Sequence, residues 1–222
     1  LKIDQFDAVI FDMDGTIADS EYAYFLGWRD AFKKYDVPIA DCEIKSWSGL
    51  SAEATSKAIN RVTRKPELIP ILRQHRQDYF FNLLRQGQVE MKPYLIELLE
   101  YLKQHDKKIG LATSTYADRA CPILEKFGIK SYFDVVNFGN QVSHLKPAPD
   151  IYLKTLVDLS CSKNRSLAIE DSESGITSAF RAGITVAVIP DSSFEQVGQK
   201  KYQNVFGVFQ DFNELKRYLK TE

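Results

Sequence analysis

Five short apolar runs, each strand-length, recur along the chain between stretches of helical patterning. They are Asp7–Asp12, Lys108–Thr113, Phe133–Asn137, Ser166–Glu170 and Thr185–Ile189. Lacking a regular polar alternation, they read as strands covered on both faces. Between them, Leu95, Leu98, Leu99 and Leu102 recur at helical spacing after Pro93. Ile123, Leu124 and Phe127 precede Gly128, and Ile151–Leu159 and Ile176–Ala182 repeat the helical pattern. Strand–helix–strand alternation predicts an α/β fold: a doubly wound parallel, Rossmann-like sheet with helices on both faces.

One connection breaks the rhythm. About a hundred residues separate the first run from the second, where a crossover needs only a dozen or more. A separate unit is therefore expected there, and its sequence is helical. Phe25, Trp28, Phe32 and Tyr35 fall on one helix face, and Tyr79–Leu84 form another apolar band. The organisation read from this is a catalytic core of residues 1–16 and 90–222 with an inserted α-helical cap of residues 17–89. Gly15–Asp19 and Gly87–Pro93 are the expected crossings between them, about which the cap is expected to open and close.

The composition, 44% hydrophobic and 27% charged, excludes wholesale disorder. With 29 basic against 30 acidic residues, nothing favours a nucleic-acid partner. No apolar stretch approaches the ~20 residues of a bilayer span, and no secretion signal is visible near the first residue. Cys42, Cys121 and Cys161 are scattered and lack zinc-ligand spacing, which reads as reduced thiols in a cytoplasmic protein.

The chemistry lies just past the strand ends, where an open parallel sheet forms its ligand crevice. The first strand runs into Phe11-Asp-Met-Asp-Gly-Thr16, so Asp12 and Asp14 can point the same way while Met13 turns inward. Gly15 permits the sharp turn leaving the sheet. The fourth strand ends in Glu170-Asp171, followed by Ser172-Glu-Ser-Gly175. Taken singly, each acid is also an ordinary cap or loop residue. Brought together, four carboxyl groups require a cation or protons, and an all-oxygen donor set suits Mg2+. Thr113-Ser114-Thr115, ahead of a helix, can bind an anion or simply cap that helix. Lys146-Pro-Ala-Pro-Asp150 places one lysine where it can balance the acids and hold a phosphoryl oxygen, or lie solvated.

The four motifs in this order resemble the haloacid dehalogenase superfamily, and more closely its β-phosphoglucomutase-like branch with a helical cap after the first motif. The resemblance spans essentially the whole chain. It implies that Asp12 is the nucleophile, Asp14 the general acid/base, Thr113 the phosphate-binding hydroxyl and Lys146 the balancing cation. Gly15 and Ser114 would join the phosphate-binding set. Asp12, Asp14 through its backbone carbonyl, Glu170 and Asp171 would hold Mg2+. The expected activity is hydrolysis of a small phosphorylated metabolite, such as a sugar phosphate, through an aspartyl-phosphate, by a monomer or weak dimer. Two alternatives are a hexose-phosphate mutase and a phosphate-binding module without catalysis.

The chain departs from the mutase pattern twice. Tyr24 stands where a hinge histidine is expected, and Ala52 where a cap arginine would grip a second phosphate. Losing that arginine favours a phosphatase. Trp47-Ser-Gly-Leu50 is a candidate specificity loop or a packed turn, and Ser20 and Tyr24 are candidate substrate contacts. Arg61, Arg64, Lys65, Arg73 and Arg76 read mostly as the solvated face of cap helices. His75, His105 and His144 receive no role.

Overall fold

The computed structural model describes residues 2–191 and 203–220. Residues 1, 192–202 and 221–222 of the expected core lie outside them. Six parallel strands form one sheet in the order β3-β2-β1-β4-β5-β6. They are β1 (Ala8–Phe11), β2 (Lys108–Ala112), β3 (Val135–Asn137), β4 (Ser166–Glu170), β5 (Thr185–Val188) and β6 (Val205–Val208). β1 lies at the centre, pairing Phe11 with Leu111 on one side and with Ile169 on the other. The chain fills the sheet on one side of β1, then returns to fill the other. This reversal opens a crevice at the carboxyl ends of β1 and β4.

Helices cover both faces, as the uninterrupted apolar strands require. On one face α5 (Leu95–Gln104), α6 (Ala117–Phe127) and α9 (Phe212–Lys220) enclose a cluster that includes Phe11, Leu99, Ile123 and Leu215. On the other, α7 (Asp150–Leu159) and α8 (Glu173–Ala182) pack over Ile10, Ala168 and Val186. β6 and α9 extend the sheet layer beyond the five runs read from the sequence.

Between β1 and β2 stand four helices, α1 (Glu21–Lys34), α2 (Asp41–Lys45), α3 (Ala52–Thr63) and α4 (Leu68–Arg85). They share a separate apolar cluster in which Trp28, Phe32 and Trp47 meet ring to ring. The carboxyl end of α4 departs from this separation, because Phe80, Leu83 and Leu84 join the cluster beneath the sheet. The two crossings between the layers are hydrogen-bonded to each other. Asp19 N–H donates to the Glu90 carbonyl at 2.9 Å, and Lys92 N–H to the Ile17 carbonyl at 2.8 Å. Lys92 Nζ also lies 3.1 Å from Asp19 and 3.4 Å from Asp191, tying both crossings to the loop after β5. No helix among the described residues is long and apolar enough to cross a membrane. All three cysteines are free thiols.

Candidate active site

Asp12 follows β1, Thr113 follows β2, Lys146 lies in the loop between β3 and α7, and Glu170-Asp171 close β4. Each is therefore delivered to the same edge of the sheet by the end of a strand or its loop. Asp12, Glu170 and Asp171 offer carboxylate oxygens that all lie within 4.8 Å of one another, and all three side chains are buried. Two glycines permit this approach. Gly15 turns at φ +78°, and a Cβ there would lie 2.1 Å from Asp171 Oδ2. A Cβ on Gly175, in the first turn of α8, would lie 1.8 Å from Glu170 Oε2.

One lysine bridges the acids. Lys146 Nζ donates to Asp12 Oδ1 at 2.5 Å and to Glu170 Oε1 at 2.8 Å, and the latter oxygen also accepts from the Tyr152 hydroxyl at 2.6 Å. Burial opposes the Lys146 charge, yet Asp12 and Glu170 together hold its proton more tightly than water does. Asp12 is pushed up to about 7, chiefly by burial and further by Glu170, with Lys146 opposing. Asp171 rises well above the usual carboxylate range through burial, then through Asp12 and Glu170, although Thr16 donates to its Oδ1 at 2.9 Å. One lysine does not neutralise three clustered acids. Glu170 Oε2 is buried without a hydrogen-bond partner. An all-carboxylate donor set with an unsatisfied inner oxygen suits a hard divalent cation.

The profile of the haloacid dehalogenase-like hydrolase family matches residues 9–189. The chain belongs to the haloacid dehalogenase-like hydrolases. It is similar to a phosphorylated carbohydrates phosphatase of Thermotoga maritima, 33% identical over 182 residues, covering 80% of this chain and 82% of that one. A β-phosphoglucomutase of Bacillus subtilis is 30% identical over 183 residues, 80% of each chain. Among solved structures, a hydrolase from Pseudomonas syringae superposes with a TM-score of 0.82 at 25% identity, covering 96% of this chain and 97% of that one. The chain is thus an enzyme of the phosphoric monoester hydrolase type.

In this hydrolase the acids form the floor of a cleft of about 440 Å³ between the sheet layer and the inserted helices. Asp12, Asp14, Thr113, Ser114, Lys146 and Asp171 all line it, while Glu170 lies beneath and is fully buried. The carboxylate of Asp14 stands apart from the three-acid group. Tyr24, on α1, donates to Asp14 Oδ1 at 2.9 Å, and Thr115 donates to Oδ2 at 2.7 Å, so the inserted helices and the sheet layer grip it from both sides. Thr113 Oγ1 accepts from Thr115 N–H at 3.0 Å, which leaves its own proton to donate. Ser114 Oγ accepts from the Lys146 N–H at 3.2 Å and braces the lysine loop.

Several residues depart from their sequence reading. Ser20 does not line the cleft; it is buried and accepts from Gly15 N–H at 3.1 Å, fixing the turn. Arg73 and Arg76 are not on a solvated face: both line the cleft, and Arg76 lies 4.2 Å from the Tyr24 ring centroid. Ala52 lines the cleft too, but its carbonyl accepts from Arg73 at 2.6 Å, so a guanidinium from α4 reaches the position that lacks its own arginine. Trp47-Ser-Gly-Leu50 borders the cleft, and Ser48 donates to Glu21 Oε2 at 2.7 Å. Tyr152 escaped notice because an aromatic at helical spacing reads as core. Thr16, inside the first motif, was legible and overlooked.

Proposed function

We propose that this enzyme is a Mg2+-dependent phosphatase of small phosphorylated metabolites, sugar phosphates foremost, acting through an aspartyl-phosphate on Asp12. The supporting observation is the Lys146–Asp12 contact of 2.5 Å inside a group of three buried acids, beside a second, separately held carboxylate, Asp14. The Thermotoga relative's activity on phosphorylated carbohydrates supports the substrate class.

Asp12 Oδ1 is held by Lys146, and Oδ2 accepts no hydrogen bond among the described residues, which leaves it to attack phosphorus. Mg2+ held by Asp12, Glu170, Asp171 and the Asp14 carbonyl would neutralise the acids and the phosphoryl group. Lys146 adds a second positive charge at the developing equatorial oxygens, and the Thr113 hydroxyl with the Ser114 amide orients them. Asp14, protonated, supplies the leaving oxygen's proton; ionised, it then takes a proton from the water that attacks the aspartyl-phosphate. Tyr24 and Thr115 aim its carboxyl for both steps. Helices α1–α4 serve as the cap, and the paired crossings at Ile17–Asp19 and Glu90–Lys92 as its hinge.

The test is phosphate release from a panel of phosphorylated metabolites with Mg2+. We expect turnover in the wild type and at least a thousandfold loss in Asp12→Asn, on the order of 4 kcal/mol of barrier. Wild-type turnover in Asp12→Asn refutes the nucleophile. Isomerisation of a hexose phosphate outpacing phosphate release, with a bisphosphate primer, refutes the phosphatase in favour of a mutase.

A further inference from the structure

Glu170 lies beneath the acid cluster, and its two carboxylate oxygens have unlike surroundings. Oε1 accepts from Lys146 Nζ at 2.8 Å and from the Tyr152 hydroxyl at 2.6 Å. A carboxylate oxygen has two lone pairs, and these two donors occupy both. Oε2 is buried and has no hydrogen-bond partner among the described residues. The two oxygens are also kept from exchanging places. A Cβ on Gly175 would lie 1.8 Å from Oε2, 2.0 Å from Cδ and 2.2 Å from Oε1. Distances that close to one another set the α8 backbone against the flat of the carboxylate, which blocks its rotation and leaves its edge open.

Tyr152 is well placed to enforce this difference. It is fully buried on α7, in the apolar cluster with Ile10, Ala168 and Ile176. Its ring face lies 5.0 Å from Lys146 Nζ, a cation–π contact that keeps the ammonium over the acids. Tyr152 therefore acts on Glu170 twice, directly through its hydroxyl and indirectly through the lysine. Burying a hydroxyl is costly unless it finds a partner, and a phenylalanine would fill the same apolar space without that cost. A neutral hydroxyl adds no charge against the three acids. Its contribution is geometric: it denies Oε1 to a cation and leaves Oε2 as the one oxygen Glu170 can offer.

We propose that Tyr152 is a positioning residue that confines Glu170 to one-oxygen ligation, and that this confinement makes the acid site select Mg2+ over Ca2+. It rests on the reading of the buried acids as a divalent-cation site. Mg2+ demands a near-ideal octahedron of short bonds, and both oxygens of one carboxylate subtend too small an angle for that geometry. Ca2+ is larger, takes about six to eight oxygens and accepts both oxygens of a carboxylate. A site whose deepest carboxylate can give only one oxygen withholds from Ca2+ a ligand that Mg2+ does not need.

Calorimetric titration of the metal-stripped protein at pH 8 with MgCl2 and with CaCl2 tests this without turnover. We expect the wild type to bind Mg2+ more tightly than Ca2+. Tyr152→Phe keeps the ring on Lys146 and removes only the hydroxyl, and we expect it to lower that preference at least about threefold, a modest share of a hydrogen bond to a charged group. The ratio is taken within one protein, so a smaller folded fraction weakens both ions together and cancels. A purely structural role for the hydroxyl likewise weakens both ions by the same factor. An unchanged or larger Mg2+ preference in Tyr152→Phe, or a wild type that binds neither ion or does not prefer Mg2+, overturns the proposal. Failure of the phosphatase reading is seen separately, as absent hydrolysis of p-nitrophenyl phosphate by a wild type that binds Mg2+.

Discussion

Gly175 shows how one residue's lack of a side chain shapes the acid cluster. It sits inside the first turn of α8, where helix propensity alone favours alanine over glycine by about 1 kcal/mol. The Glu170 carboxylate, however, lies against the glycine backbone, and a Cβ would come within 1.8 Å of its Oε2. Overlap of that depth in a packed interior costs about 1–3 kcal/mol, and Glu170 cannot swing away without breaking its bonds to Lys146 and Tyr152. The steric term wins. We expect Gly175→Ala to lower unfolding free energy in urea by up to about 2 kcal/mol after the propensity gain. Phosphate release should fall with it, because Lys146 loses its second anchor. A variant as stable and active as the wild type would mean that the carboxylate position is not constrained by α8.

At the scale of elements, α1 and α4 pair along their length, and α2 and α3 close over them. Phe32, 1% exposed, sits between Trp28 and Trp47 in the apolar cluster that these helices share. Removing its ring takes away buried area and leaves a cavity, a loss of about 3–5 kcal/mol for such sites. Phe32 has no place in either cluster against the sheet, so the damage falls on the inserted helices first. Both tryptophans of the chain lie in this cluster. For Phe32→Ala we expect tryptophan emission to shift red at lower denaturant than the loss of far-ultraviolet dichroism. Coincident transitions at a lowered midpoint would show that the two layers unfold as one.

Over the whole molecule, the acids of the cleft make folding a proton-uptake reaction. Asp12 and Glu21 are both pushed up to about 7, chiefly by burial, and Asp171 is raised as well. In the unfolded chain the same groups titrate near 4. Between those values the folded state binds more protons than the unfolded one, so stability without metal falls as pH rises from about 4 to 7. A divalent cation competes with those protons. We expect the metal-free protein to melt lower at pH 8 than at pH 5, and Mg2+ to raise the melting temperature more at pH 8. An equal or larger Mg2+ effect at pH 5 would place the ion away from these carboxylates.

The periodicity of the chain was enough to read five of the strands, the helices between them and the inserted helical unit, because two-sided burial demands unbroken apolar runs. The motif acids and Thr113 were legible for a related reason, because a strand's end fixes where the next residue points, whereas Lys146 was read from the proline-stiffened turn ahead of α7. β6 and α9 were passed over although Phe212, Leu215 and Leu219 fall at helical spacing. Local pattern carries no record of which distant groups face each other. That Tyr24 reaches Asp14, that Tyr152 holds Glu170, and that Arg73, Arg76 and Arg119 meet in one cleft depend on how α1, α4, α6 and α7 lie against the sheet and one another. That packing is set by contacts between residues far apart in the chain, so only the folded arrangement decides it.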